Sequence, residues 1–227
     1  MKRIAVLASG SGSNLQAILD HFATFGESTP AKVVIVASDR PQCGAIERAR
    51  FGGVDAVVLR DAREPESPEL EELLVEREID YVALAGYLRL IPARLVDQFA
   101  GRMLNVHPAL LPAHGGPGMY GLRIHQAVIN AHESVSGATV HFVTHEYDSG
   151  PVVAQWPVPV MEADDAHTLA ARVLTIEHAL YPRVLEALAR GRRNIFPICP
   201  AADYLAHPPM SPEDLRRDIS VAFGGPV

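Results

Sequence analysis

A doubly wound α/β fold with a mostly parallel, Rossmann-like sheet is predicted for this chain by three features. Its first half alternates continuous apolar runs with helix-patterned segments, the mark of parallel strands covered on both faces. A glycine loop, Ser9-Gly10-Ser11-Gly12-Ser13-Asn14, joins the first apolar run to the first helix, as in folds that hold anions at a helix N-terminus. Farther on, two β-type runs flank a turn and precede a long apolar-striped segment, which adds an antiparallel hairpin and a long helix on the C-terminal side.

Taken in order, Arg3 to Ala8 is the first strand, and Leu15-Gln16-Ala17-Ile18-Leu19 has helical spacing. A strand over Lys32 to Ala37, a helix from Gly44 to Arg50, a strand from Asp55 to Leu59, a charged helix from Pro68 to Arg77 and a strand from Tyr81 to Ala85 follow. Met103 to Val106 is the next strand. It ends at His107-Pro108, where proline removes a ladder donor. Residues 113–121 are too rich in glycine for regular structure and form a loop over a site or a mere connector. Leu122 to Ala131 is helical. Gly137 to Thr144 and Val152 to Val158 are strands joined by a turn whose Asp148, Gly150 and Pro151 favour reversal. Asp165 caps a helix from Ala166 to Ala189, striped by Leu169, Val173, Ile176, Leu180 and Val184, kinked at Pro182 and ended by Gly191. Residues 1–192 thus make one domain. Residues 193–227 are a peripheral, proline-rich tail with an amphipathic piece at Pro212 to Ala222.

Composition narrows the function. A 227-residue chain with 48% hydrophobic and 21% charged residues has ordinary globular character and length enough for a real core. Its net charge of −7 argues against a duplex nucleic acid partner. No run reaches membrane-spanning length and the N-terminus lacks a secretory pattern, so a cytoplasmic protein is expected. Cys43 and Cys199 stand far apart without metal-ligand spacing, and the histidines form no HExxH or similar cluster. No metal is expected.

Two constellations carry chemistry. In the glycine loop, exposed N–H groups and the positive end of the following helix suit phosphate, with the Ser11 and Ser13 hydroxyls as added donors. The fit to a dinucleotide motif is poorer, because Leu15 stands where a third glycine belongs, although Asp39 could serve a ribose diol. At the end of the Met103 strand, Asn105 and His107 lie one strand period apart and share a face. An amide donor for an oxyanion beside a proton-moving imidazole suits attack on a carbonyl. Asp148 in the hairpin turn is a candidate to favour the imidazolium of His107 and raise its pKa. The plainer readings are a tight turn with no ligand for the glycine loop, loop residues that bond nearby backbone for Asn105 and His107, and an Asx-turn residue for Asp148.

The segments Ser9 to Gln16, Leu84-Ala85-Gly86-Tyr87-Leu88-Arg89, Leu104 to Pro112, His141-Phe142-Val143 and Glu177-His178-Ala179 resemble, in order and spacing, the phosphoribosylglycinamide formyltransferase family of folate-dependent enzymes. The likeness spans Lys2 to Arg192. It implies formyl transfer from 10-formyltetrahydrofolate, as cosubstrate, to the amine of a glycinamide ribonucleotide in purine synthesis. It further implies small-molecule substrates, no nucleic acid or membrane partner, no metal, and a monomer or homodimer. By the same likeness Asn105, His107 and Asp148 match the catalytic trio. Gly12, Ser13 and Asn14 match the phosphate loop, and Glu177 the residue at the glycinamide end. Arg63, Leu88, Arg89, Leu90, Ile91, Thr144, His145, Glu146 and Tyr147 match the folate side. Departures from the pattern are the longer glycine-rich loop, Arg123 where many members have His, and the unmatched tail.

Rival readings differ in testable ways. An enzyme formylating initiator tRNA needs a further RNA-binding domain, and a formyl-folate hydrolase needs no phosphate loop. A dinucleotide oxidoreductase leaves Asn105 to Pro112 without a task, and a non-catalytic phosphosugar binder shows no turnover.

Overall fold

The computed structural model describes residues 1–61, 67–192 and 211–224, which divide into two compact units. The first comprises residues 1–105 and 142–145, the second residues 106–141 and 146–227. In the first, β1 (Lys2–Leu7), β2 (Ala31–Ser38), β3 (Asp55–Val58), β4 (Tyr81–Leu84) and β5 (Met103–His107, its last two residues in the second unit) run parallel in the order β3-β2-β1-β4-β5. Helices α1 (Ser13–Ala23), α2 (Gly44–Phe51), α3 (Pro68–Glu76) and α4 (Ala93–Gln98) supply the crossovers. The apolar runs fold as expected for strands covered on both faces: Ile4, Val6, Leu7, Ile35, Val36 and Val82 are fully buried. Leu70, Leu74, Leu95, Phe99 and Met103 join Leu7 and Ile35 in one cluster. The six-residue α4, opened by Pro92, was not anticipated from the pattern; so short a helix shows less than two turns of periodicity.

In the second unit α5 (Leu122–Asn130) precedes the antiparallel pair β6 (Val135–Phe142) and β7 (Val152–Pro159), with Ala138 opposite Trp156. The predicted hairpin is present, with β6 starting earlier than expected and ending before Thr144. The 24-residue α6 (Ala166–Ala189) starts at a capping box: the Asp165 carboxylate accepts from the His167 and Thr168 N–H groups, and the Thr168 hydroxyl returns to the Asp165 backbone. All five residues of the predicted stripe are fully buried. So are Tyr181 and Leu185, so that α6 is apolar over more than one face. Pro182 lies within a helix that runs on to Ala189, and Gly191 follows at a positive φ. The tail's amphipathic piece is helix α7 (Pro212–Ala222), capped by Ser211, which lays Leu215 and Ile219 against α6. Arg192 donates to the Phe223 carbonyl at 3.0 Å. The rest of the predicted tail, residues 193–210 and 225–227, lies outside the described residues.

Candidate active site

In the first unit, β1 delivers the chain into the glycine loop and α1 leaves it. Gly12 is the N-cap of α1 with φ 75°, no side chain caps the helix, and its first-turn N–H groups have no intrahelical carbonyl to meet. Gly12 is required twice over. A Cβ there would stand 2.6 Å from the Ala45 Cα, and L-residues resist the left-handed backbone. Gly44 is pinned from the other side, where a Cβ would stand 2.5 Å from the Ser11 carbonyl oxygen. The buried Ser9 hydroxyl accepts from the Leu88 N–H at 3.0 Å and the Gly86 carbonyl accepts from the Ser9 N–H at 3.1 Å, which ties the glycine loop to the predicted folate segment within this unit. Leu88 and Leu90 are exposed, Ile91 is buried, and Arg89 donates through Nε to the Asp39 carboxylate at 2.9 Å. That ion pair takes one oxygen of the carboxylate a dinucleotide ribose would need, and the other is buried without a hydrogen-bond partner among the described residues. Thr144 is half-buried and His145 is exposed, its ring 2.8 Å from Asp97. Arg63 lies outside the described residues.

In the second unit the chemistry-bearing groups converge on Asp148. This residue has φ 54° at the hairpin turn, a conformation Asp tolerates better than most residues. One carboxylate oxygen accepts from the Gly116 N–H at 2.9 Å and lies 3.5 Å from His107 Nδ1. The other lies 3.5 Å from His141 Nε2. At the opposite edge of the His107 ring, Nε2 stands 2.9 Å from the His114 carbonyl oxygen. A carbonyl only accepts, so Nε2 donates and Nδ1 faces the carboxylate. Both nitrogens therefore meet acceptors, an arrangement complete only for the imidazolium.

Burial works against that charge. His107 is 3% exposed, and desolvation pushes its pKa below 6.5 despite the opposing pulls of Asp148 and the His114 carbonyl. The expectation that Asp148 raises the His107 pKa is therefore corrected: the carboxylate acts in that direction, but removal from water outweighs it. Burial likewise pushes the Asp148 carboxyl up. Here the His141 hydrogen bond, the His107 charge and the Gly116 N–H prevail and hold it below the usual carboxylate range.

The segment after β5 is fixed by Thr139, fully buried on β6. Its hydroxyl donates to the Ala109 carbonyl at 2.6 Å and accepts from the Leu111 N–H at 3.0 Å, while Gln155 on β7 reaches both that hydroxyl and the Leu111 carbonyl. Thr139 as a partner of this segment and His141 as a partner of Asp148 were missed from the sequence, although β6 alternation places the two on one face. His125 on α5, 4% exposed, is a further buried imidazole within electrostatic reach of His107. Glu177 is buried on α6, whereas Glu146 and Tyr147 are exposed in the turn. Asn105, half-buried on β5, is in register with Leu84 of β4. Among the described residues no group of histidines, cysteines and carboxylates has the arrangement of a metal site.

Residues 2–185 match the family model described as formyl transferase. A chloroplastic phosphoribosylglycinamide formyltransferase of Vigna unguiculata is 44% identical over 84% of this chain, which spans only 62% of that relative's length. The phosphoribosylglycinamide formyltransferase of Escherichia coli K12 is 40% identical over 83% of this chain and 88% of its own. The crystal structure of glycinamide ribonucleotide transformylase 1 from Symbiobacterium toebii superposes with a TM-score of 0.76 at 40% identity, covering 86% of this chain and 92% of that one. The likeness bears out the predicted α/β fold.

Proposed function

The chain belongs to the formyl transferase family, and from that premise we propose that it moves the formyl group of 10-formyltetrahydrofolate to the amine of 5′-phosphoribosylglycinamide, in the cytoplasm and in the service of purine synthesis. The observation that carries this proposal is the buried His107 ring held between the Asp148 carboxylate and the His114 carbonyl. The substrate amine is the natural replacement for that carbonyl at Nε2. Asn105 is then the amide donor to the oxyanion, and Gly12, Ser13 and Asn14 hold the phosphate through backbone N–H groups at the start of α1. Glu177 takes the glycinamide end. Leu88, Arg89, Leu90, Ile91 and the turn from Thr144 to Tyr147, with Arg63, take the folate.

The neutral amine attacks the formyl carbon, and the carbonyl electrons move onto oxygen to give a tetrahedral oxyanion. With the amine in place of the His114 carbonyl, the ring kept neutral by burial carries its one proton on Nδ1 toward Asp148, its Nε2 lone pair accepts the proton that the amine nitrogen sheds, and Asp148 stabilises the imidazolium formed. That proton passes to N10 of the folate as the carbon–N10 bond breaks and the oxyanion collapses to the product amide. Charge thus appears on His107 only when the carboxylate is needed. The step uses no metal and no covalent enzyme intermediate.

The test is absorbance-monitored consumption of a 10-formyl folate by the purified full chain. Turnover that requires the glycinamide ribonucleotide is expected. Equal turnover without it would reassign the protein to hydrolysis, and none with it would overturn the proposal.

A further inference from the structure

Three successive carbonyls of the glycine loop are taken by donors within the first unit. Gly10 O accepts from Ala45 N at 3.2 Å, Ser11 O from Arg48 Nε at 3.0 Å, and Gly12 O from Gln16 N at 2.9 Å. In a trans peptide the carbonyl and the following N–H point in opposite directions. Holding the Gly10 and Ser11 carbonyls toward α2 therefore aims the N–H groups of Ser11 and Gly12 away from α2. Consecutive N–H groups aimed the same way form a concave anion site.

Of these donors Arg48 alone brings a charge. Its guanidinium is fixed at a second point, with Nη1 3.2 Å from Gln16 Oε1, and the Gln16 amide donates in turn to Asp20 at 2.8 Å. The close seat of Gly44 on Ser11 keeps α2, and with it Arg48, against the loop.

We propose that Arg48 is a positioning residue for the phosphate end of the substrate, an inference that rests on the reading of this loop as the phosphate site. By binding the Ser11 carbonyl, Arg48 keeps that negative dipole turned from the anion and the Gly12 N–H turned toward it. Its positive charge adds to the field at the start of α1. Without Arg48 the Ser11 peptide is free to rotate, and a carbonyl facing the phosphate repels it.

The experiment measures binding of ribose 5-phosphate by calorimetry, and steady-state kinetics, for the full chain as wild type, Arg48→Ala and Arg48→Lys. Arg48→Ala is expected to lose about tenfold or more in ribose 5-phosphate affinity, the scale of one charge-assisted hydrogen bond. The ribonucleotide KM should rise by a similar factor, with kcat and the folate KM within about twofold of wild type. Arg48→Lys, which keeps the charge and one donor, should fall between the two. With the unphosphorylated glycinamide riboside, Arg48→Ala and wild type should perform alike. Undiminished ribose 5-phosphate binding by Arg48→Ala overturns the proposal, as does an equal loss with the riboside. If wild type binds ribose 5-phosphate in this Arg48-dependent way but transfers no formyl group, the proposed reaction fails while the role of Arg48 stands. If wild type does not bind ribose 5-phosphate, the role of Arg48 falls, while the proposed reaction is still decided by turnover with the ribonucleotide.

Discussion

Acidification from pH 7 to pH 4.5 is expected to remove about 2 to 3 kcal/mol of stability through a single side chain, His125. This imidazole is 4% exposed and its Nδ1 has no hydrogen-bond partner among the described residues. Burial first, and then the charge of His107, push its pKa down from 6.5 to about 4. Because the folded value lies below the unfolded one, the unfolded chain takes up a proton that the folded chain refuses. The contribution of neutral His125 is fully present above pH 6.5, falls as pH drops toward 4, and changes no further below that. Each pH unit in the window is worth about 1.4 kcal/mol, which over the two units from 6.5 to 4.5 gives the figure above. Urea unfolding of wild type and His125→Leu at pH 7.0 and 4.5 isolates the effect. His107 and the paired carboxylates remain in both proteins, so their acid losses largely cancel. The leucine variant should lose about 2 to 3 kcal/mol less than wild type between the two pH values. Equal acid losses in the two proteins would refute the assignment of a buried, neutral His125.

Two further outcomes follow from the site geometry. Gly12→Ala should cost about 1 to 2 kcal/mol for the left-handed backbone alone, and more as α2 shifts to relieve the contact with Ala45. Urea midpoints check the stability, and a raised ribonucleotide KM with an unchanged folate KM checks its place in the loop. Asp148→Asn removes the charge that meets the imidazolium while keeping an acceptor for Gly116, so kcat should fall by about 10²- to 10⁴-fold, with a loss of stability beside it because the carboxylate, held below its usual range, also favours the folded state. Steady-state rates beside a urea curve decide it, and a loss under threefold would show that the carboxylate charge is not used.

The parallel strands and the long helix were legible because their signals are local. Leu169, Val173, Ile176, Leu180 and Val184 repeat at helical spacing whatever they pack on, and all proved fully buried. What escaped depended on contacts between distant stretches. His141 was set aside because its nearness to Asp148 comes from the antiparallel pairing of β6 and β7 and the turn between them. The direction of the His107 pKa was misjudged because a partner carboxylate can be guessed from residue type, whereas desolvation depends on everything packed around the ring. Arg48 gave no signal in the sequence, since nothing in its neighbours reveals that its guanidinium reaches the Ser11 carbonyl 37 residues away. The glycine loop between β1 and α1 was legible, but Arg89's pairing with Asp39 was not.

His107→Ala, assayed for formyl transfer to the glycinamide ribonucleotide beside wild type, with circular dichroism and an unfolding curve to show that it folds, tests the catalytic assignment most directly. A folded variant with kcat lowered by about 10²-fold or more, and ribonucleotide affinity within a few-fold of wild type, is the expected result. A folded His107→Ala protein that transfers formyl at near wild-type rate would contradict the assignment of this imidazole as the group that moves the proton.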